Sequence, residues 1–166
     1  MSIVDSDRAG ALLLIAILAT GAALRIWLSF HDDGIYWPDE IYESLEPAHR
    51  LVFGYGLVSW EFIEGARNWA LPGFVAAVLR LCAAVGLNDP RQYLSAIRLV
   101  MSGIGVASAY GSYLLARRLG TSTTFAACAA AFFALAAPAV YFAPRALAET
   151  TSALPIFRSW RMKMMN

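Results

Sequence analysis

Charge is what this chain has least of. Asp, Glu, Lys and Arg make up 15% of its 166 residues, against about 25% in soluble domains, too little to cover a large solvated surface. The thirteen Lys and Arg are scattered and the net charge is +1. Nucleic-acid binding asks for a clustered basic face, so no nucleic-acid partner is expected. Cysteine is nearly absent: Cys82 and Cys128 each sit in an apolar run, where a free thiol behaves as a small hydrophobe. Their placement gives neither a disulfide framework nor a zinc site. No His/Asp/Glu set has ligand spacing either, so no metal and no cofactor is expected. No Asn-x-Ser/Thr sequon occurs, and glycosylation therefore says nothing about compartment.

Hydrophobic residues, by contrast, make up 59% of the chain and the mean hydropathy is +0.56, the balance of an all-α integral membrane protein. A bilayer core takes about 20 apolar residues, and three segments qualify: 9–30, 96–116 and 123–143. The first has no small-residue cleavage site followed by a soluble domain, so it reads as an uncleaved span. Between the first two lies an extramembrane loop, 31–95, with much of the charge and aromatic content. Within it 71–87 is apolar, but Arg80 sits at its centre and Pro72-Gly73 opens it. An arginine at mid-bilayer costs about 2.5–3.5 kcal/mol on the insertion scale. Arg117-Arg118 form a basic pair in a short loop and belong on the cytoplasmic side. Both points favour 71–87 lying in the interface or re-entering. That puts the 31–95 loop and the stretch 145–149 on the same, non-cytoplasmic side of a multi-pass protein.

The loop begins like a helix at Pro38-Asp39-Glu40, with Pro at a first-turn position and acids at the positive end of the dipole. At 3.6 residues per turn, Asp39, Glu43, Glu46 and Arg50 share one face and Ile41, Leu45, Ala48 and Val52 the other. This is the pattern of an amphipathic helix lying on a membrane surface. Pro47 should kink it, and Gly54-Tyr55-Gly56 should stop it. Spacing alone is satisfied by a solvated face with a Glu46–Arg50 pair worth a few tenths of a kcal/mol. Asp39-Glu40 also suits general-base chemistry, although adjacent acids point to different faces. Downstream, Trp60, Glu61, Arg67 and Trp69 interleave acids with aromatics, which suits an interfacial anchor or a carbohydrate platform.

Several pieces in order resemble one family. Pro38-Asp39-Glu40, Glu46-Pro47-Ala48-His49, Gly54-Tyr55-Gly56, Ser59-Trp60-Glu61, Arg67-Asn68 and Pro72 look like the first luminal loop of the Alg9-like mannosyltransferases (family 22 of the GT-C superfamily). Arg145-Ala146-Leu147-Ala148-Glu149 is similar to that family's later Arg-Thr-Leu-Ser-Asn turn. Trp37 stands where the family has His, and Ala148-Glu149 where it has Ser-Asn. The resemblance implies a GT-C-like polytopic helix bundle with interfacial helices in its first non-cytoplasmic loop. It implies transfer of mannose, or a related hexose, from a polyprenyl- or dolichyl-phosphate donor to a glycan or glycolipid hydroxyl, with inversion. The membrane lipid, the lipid-linked donor and the glycan acceptor are the expected partners.

Within that reading Asp39 is the expected general base and Glu40 its partner or an acceptor-orienting group. Glu46, His49, Trp60, Glu61 and Arg67 are candidate substrate contacts. Arg145 is a candidate partner for the lipid phosphate, or else a snorkelling interfacial arginine. The residues 1–157 are expected to be the N-terminal part of such a domain, inactive in isolation, and the basic, Met-rich tail 158–166 to mark a truncation or frameshift. Ala-rich composition favours a bacterial inner membrane over the ER membrane. The rival reading is a small multi-span transporter or channel subunit, with Arg25, Arg80 and Arg98 lining a polar path.

Overall fold

The computed structural model describes residues 3–32, 34, 35 and 37–152, with side chains from Asp7 onward; the tail 158–166 lies outside them. Among the described residues all regular structure is helical. Helix α1, Ile3–His31, contains no proline and reaches a mean hydropathy of 2.2 in an 18-residue stretch within Asp7–His31. A second long helix, Pro90–Arg118 (α6 below), opens with Pro90 in its first turn and Asp89 at its N-cap, whose carboxylate accepts from Arg91 N at 2.9 Å. Both are long and apolar enough to cross a bilayer. Between them come α2 (Pro38–Glu40), a π-helical stretch (Ile41–Leu45), α3 (Glu46–Phe53), α4 (Trp60–Ile63) and α5 (Ala70–Ala84). After α6 follow α7 (Thr123–Leu135) and α8 (Ala137–Phe142).

α1, α6 and α7 form a bundle. α1 and α7 run parallel, because Thr123 Oγ1 donates to Asp7 Oδ1 at 2.6 Å at one end and Arg25 reaches the carbonyls of Phe133 and Ala134 near the other. Small residues set their separation: Ala126, Ala127, Ala130 and Ala134 are fully or almost fully buried. A Cβ on Gly10 would fall 2.8 Å from Thr123 Cγ2. Close backbone approach through small residues is how helices associate where no hydrophobic effect drives them together. Phe125 and Phe132 point outward, at 75% and 79% exposure, as a lipid-facing surface would have them.

The chain leaves α1 and enters α6 at the same end of the bundle. Ser29 Oγ lies 3.3 Å from Ser102 Oγ, and the Arg98 guanidinium donates to the carbonyls of Asp32 and Gly34. One crossing by α5 would put those points at opposite ends. α5 has 15 residues, about 22 Å at 1.5 Å each, and packs with Val75, Ala76 and Leu79 against Ala48, Ile97 and Met101. Its Arg80 faces outward.

The apolar segment 123–143 is not one helix. α7 stops at Leu135, Ala136 takes an extended ψ of 130°, and α8 restarts with Pro138 in its first turn. Proline has no N–H to give the carbonyl four residues back, here Ala134. A carbonyl left bare inside a bilayer costs several kcal/mol. Arg25 of α1 supplies the missing donor, Nη1 bonding Ala134 O at 2.6 Å; the guanidinium also bonds Gly21 O at 2.9 Å through Nη1 and Phe133 O at 2.9 Å and Ala139 O at 3.2 Å through Nη2. Two residues anomalous for a membrane helix, an arginine and a proline, thus answer one another.

Pro47 has a similar local effect. The turn before it widens to a π-helix over Ile41–Leu45, with Glu46 N bonded to Ile41 O five residues back. A wide turn relieves the collision between the proline ring and the preceding turn. It also rotates the faces that a regular helix would have. The buried side becomes Glu40, Ser44, Pro47 and Ala48, with Ile41, Leu45 and Val52 half-buried beside it. Gly54 closes α3 in the left-handed conformation, φ 82°, its N–H bonded to Arg50 O.

A candidate active site at one end of the bundle

Arg145 follows α8 in a tight turn and is 1% exposed. Its Nη1 donates to Gly34 O at 2.8 Å and Glu40 Oε2 at 3.2 Å, and its Nη2 to Asp32 Oδ2 at 2.5 Å and Tyr141 Oη at 3.3 Å. The Tyr141 ring also lies beneath it, 5.0 Å from the guanidinium carbon. The second oxygen of Glu40 accepts from Ala146 N at 3.2 Å. With Arg98 gripping the carbonyls of Asp32 and Gly34 from α6, this knot ties the exit of α1, the start of α2 and the end of α8 together. The two polar clusters that the sequence places on one side do meet.

Asp39 stands next to the knot and outside it. It is exposed and lines a cavity of about 530 Å³ together with Trp37, Phe142, Leu147 and Glu149. The same cavity extends along Gly105, Ser108, Phe133 and Ala143 to Arg25. Glu40, by contrast, is 2% exposed and spends both oxygens on Arg145 and Ala146. Adjacent acids on a helix diverge, and here one faces the cavity and the other the interior.

The remaining candidates lie further along the loop. Glu46 accepts from Leu57 N at 2.8 Å, and Arg50 donates to Gly56 O at 3.0 Å. Both side chains thus hold the glycine turn, and no Glu46–Arg50 ion pair forms. His49 Nδ1 lies 3.0 Å from Tyr55 O, which calls for the Nδ1–H tautomer, and its ring packs on Phe53 and Tyr55. Trp60 is 68% exposed. Arg67 bridges Glu43 and Glu61, the latter at 3.2 Å, at the rim of a second cavity of about 450 Å³ lined by Phe62, Leu71, Phe74 and Thr151. Burial pushes the Glu43 carboxyl above its ordinary range; Arg67 pulls it down, and the negative charges of Asp39, Glu61 and Glu149 push it up again. The position of Glu149 on the cavity wall beside Asp39 was not anticipated from sequence, where it stood only as a departure from the family pattern. Asp32 carried no signal at all. Among the described residues no group of three or more His, Cys, Asp or Glu is placed to hold a metal ion.

Fold and site together define a helical membrane protein with a carboxylate-bearing cavity at one end of its bundle. A profile of the Alg9-like mannosyltransferase family matches residues 16–158, and the chain belongs to that family. It is 36% identical over 103 residues to GPI mannosyltransferase 3 of Yarrowia lipolytica, covering 62% of this chain and 20% of that protein. To GPI mannosyltransferase 3 of Drosophila melanogaster it is 33% identical over 100 residues, covering 60% and 17%. To mannosyltransferase APTG1 of Arabidopsis thaliana it is 40% identical over 78 residues, covering 47% and 14%. The chain spans about one fifth or less of the length of these curated relatives. All three organisms are eukaryotes, so a bacterial inner membrane gains no support from them. No solved structure matches.

Proposed function

We propose that this chain carries the base-bearing end of a mannosyltransferase that takes mannose from a polyprenyl- or dolichyl-phosphate carrier and gives it to a glycan or glycolipid hydroxyl. The acceptor oxygen attacks the anomeric carbon from the face opposite the phosphate. Asp39 takes the hydroxyl proton, the bond from the anomeric carbon to the phosphate oxygen breaks, and its electron pair leaves with the lipid phosphate. The configuration inverts. A positioned base contributes about 10²–10⁴-fold to such a step. The observation that carries this reading is the solvent-facing Asp39 carboxylate on the wall of an apolar cavity large enough for a sugar and the first part of a lipid tail.

Glu40 positions Asp39 by fastening the start of α2 to Arg145. Arg145, neutralised by two carboxylates, is a structural cation and not the phosphate partner. Glu149 contacts the acceptor from the opposite lip of the cavity, and Trp60, Glu61 and Arg67 serve the glycan further out. The acidic loop faces the non-cytoplasmic side, because Arg8, Arg117 and Arg118 all belong to the opposite end of the bundle. A transporter would leave Arg98 facing a path; it is bonded to the carbonyls of Asp32 and Gly34 instead.

The test is transfer of labelled mannose from polyprenyl-phosphate mannose in membranes that carry the whole protein. Asp39→Asn should lower transfer at least 100-fold while the amount of inserted protein stays the same. Turnover within threefold of the unsubstituted protein would remove Asp39 from the base role.

A further inference from the structure

Arg25 does more than mend a broken span. It is 1% exposed, yet it forms part of the wall of the 530 Å³ cavity, and no described carboxylate pairs with it. Its four terminal N–H groups are taken by carbonyls, while its Nε is buried with no partner. Carbonyls at a helix C-terminus offset about half a charge, so a net positive charge remains at this wall, in surroundings where an unmatched charge is costly. The missing side chain of Gly105 lets α6 pass close beside Nε, next to the methyl of Ala143: a Cβ there would lie 3.3 Å from Nε and 2.8 Å from Ala143 Cβ, and both residues line the cavity with Arg25. Apart from Ser108 and Thr150, the wall is apolar through Phe133, Phe142 and Leu147 until it reaches Asp39 and Glu149. A positive inner wall, apolar sides and acids at the lip suit an anion joined to hydrocarbon.

We propose that Arg25 is the residue that holds the phosphate of the lipid-linked donor, through its Nε–H, at the inner end of this cavity; the proposal rests on the donor class assigned above. Scale supports it. Arg25 lies six residues before His31, about 9 Å down the helix. A base within about 2.6–3.2 Å of the acceptor hydroxyl, itself about 3–3.5 Å from the anomeric carbon, stands some 7–8 Å from the departing phosphate oxygen. The donor is a phosphodiester with one negative charge, and the released monoester carries up to two. A fixed cation at the phosphate therefore favours the charge that develops as the bond breaks. Arg145 has no such surplus, since Asp32 and Glu40 cancel it.

The experiment measures binding of polyprenyl monophosphate and of the matching polyprenol to the purified chain in nanodiscs. The phosphate should bind at least tenfold more tightly than the alcohol. Arg25→Gln combined with Pro138→Ala removes the cation and gives Ala134 O another donor, the N–H of the substituted alanine, which offsets part of the loss. That double variant, checked by helicity and melting, should bind the polyprenol as before and lose the preference for phosphate. Pro138→Ala alone should keep it. As a check that needs no variant, the Arg25 Nε–H resonance of the ¹⁵N-arginine-labelled chain should shift with the phosphate and not with the alcohol. Equal binding of the two lipids, a preference that survives in the double variant, or an unmoved Nε–H would each overturn the proposal while leaving the cavity a lipid site. If neither lipid binds the unsubstituted chain, the donor reading itself falls with it.

Discussion

Two arginines of this chain are equally buried, at 1% exposure, and are held in opposite ways. Arg145 is matched by two carboxylates, a carbonyl and a tyrosine; Arg25 is matched by carbonyls alone. The first sits where α1, α2 and α8 come together at the end of the bundle, and acids from the adjoining loop can reach it. The second sits inside the bundle beside a break in α7, where backbone acceptors are all that is available. The difference teaches that burial alone does not say whether a cation is cancelled. One of these charges is spent on architecture and the other is left over.

The sharpest way to break this comparison is to remove the cation that is cancelled. Arg145→Ala leaves Glu40 buried and Asp32 half-buried without their partner, which should cost about 3–5 kcal/mol, read as lost melting temperature in detergent. Next is Arg25→Leu, which strips donors from the carbonyls of Phe133, Ala134 and Ala139. At about 1–3 kcal/mol for a buried unsatisfied group, partly offset by no longer burying a charge, the net loss should be about 2–3 kcal/mol. Pro138→Ala should recover part of that loss in the Arg25→Leu background and much less of the loss in Arg145→Ala. A recovery of equal size in both would dissolve the distinction.

A smaller effect separates the neighbouring acids. Glu40→Gln weakens one charge-assisted contact and should cost about 1.5 kcal/mol, whereas Asp39→Asn should stay within about 0.5 kcal/mol while abolishing transfer. The smallest concerns Glu43. Its folded-state pKa is raised above the ordinary 4.5, so the folded state prefers it protonated. That contribution is fully present below pH 4.5 and is lost as the pH rises through the folded-state value. Glu43→Gln should therefore leave stability at pH 7 unchanged or slightly improved, by less than about 0.5 kcal/mol. The difference should vanish in melts run below pH 4.5.

Much of this architecture was legible beforehand. The hydropathy of α1 and α6, the proline and acids that open α2, and Gly54 at the end of α3 all work through neighbours within a turn or two. Asp39 was legible for the same reason, as one of two adjacent acids that could not both face the same way. Which of the two would turn inward depended on the widened turn before Pro47, and a 3.6-residue period does not contain it. Arg25 stood out as a charge inside a span and Pro138 went unremarked within 123–143; their complementarity spans 113 positions and shows only when α1 and α7 lie side by side. Arg145 was singled out for its charge, and its use in the fold was hidden because Asp32 carries no pattern of its own. The stretch from Trp60 to Arg67 reads as charged and aromatic in sequence, and in the structure most of it is exposed, with Phe62 buried.

The five-residue turn Ile41–Leu45 works as an angular spacer. Each residue of an α-helix advances the chain by about 100°, so a deletion of one position there, closing the turn to α-geometry, would leave α3 seated on α5 and swing the opening of α2 through roughly a quarter-circle. Glu40 would be pulled from its guanidinium and Asp39 from its cavity, although no residue of either site had changed. A substitution that spares the buried Ser44 and the core-packed Leu45 should matter less than a change of length, which makes residue number the property of this segment on which the placing of Asp39 depends.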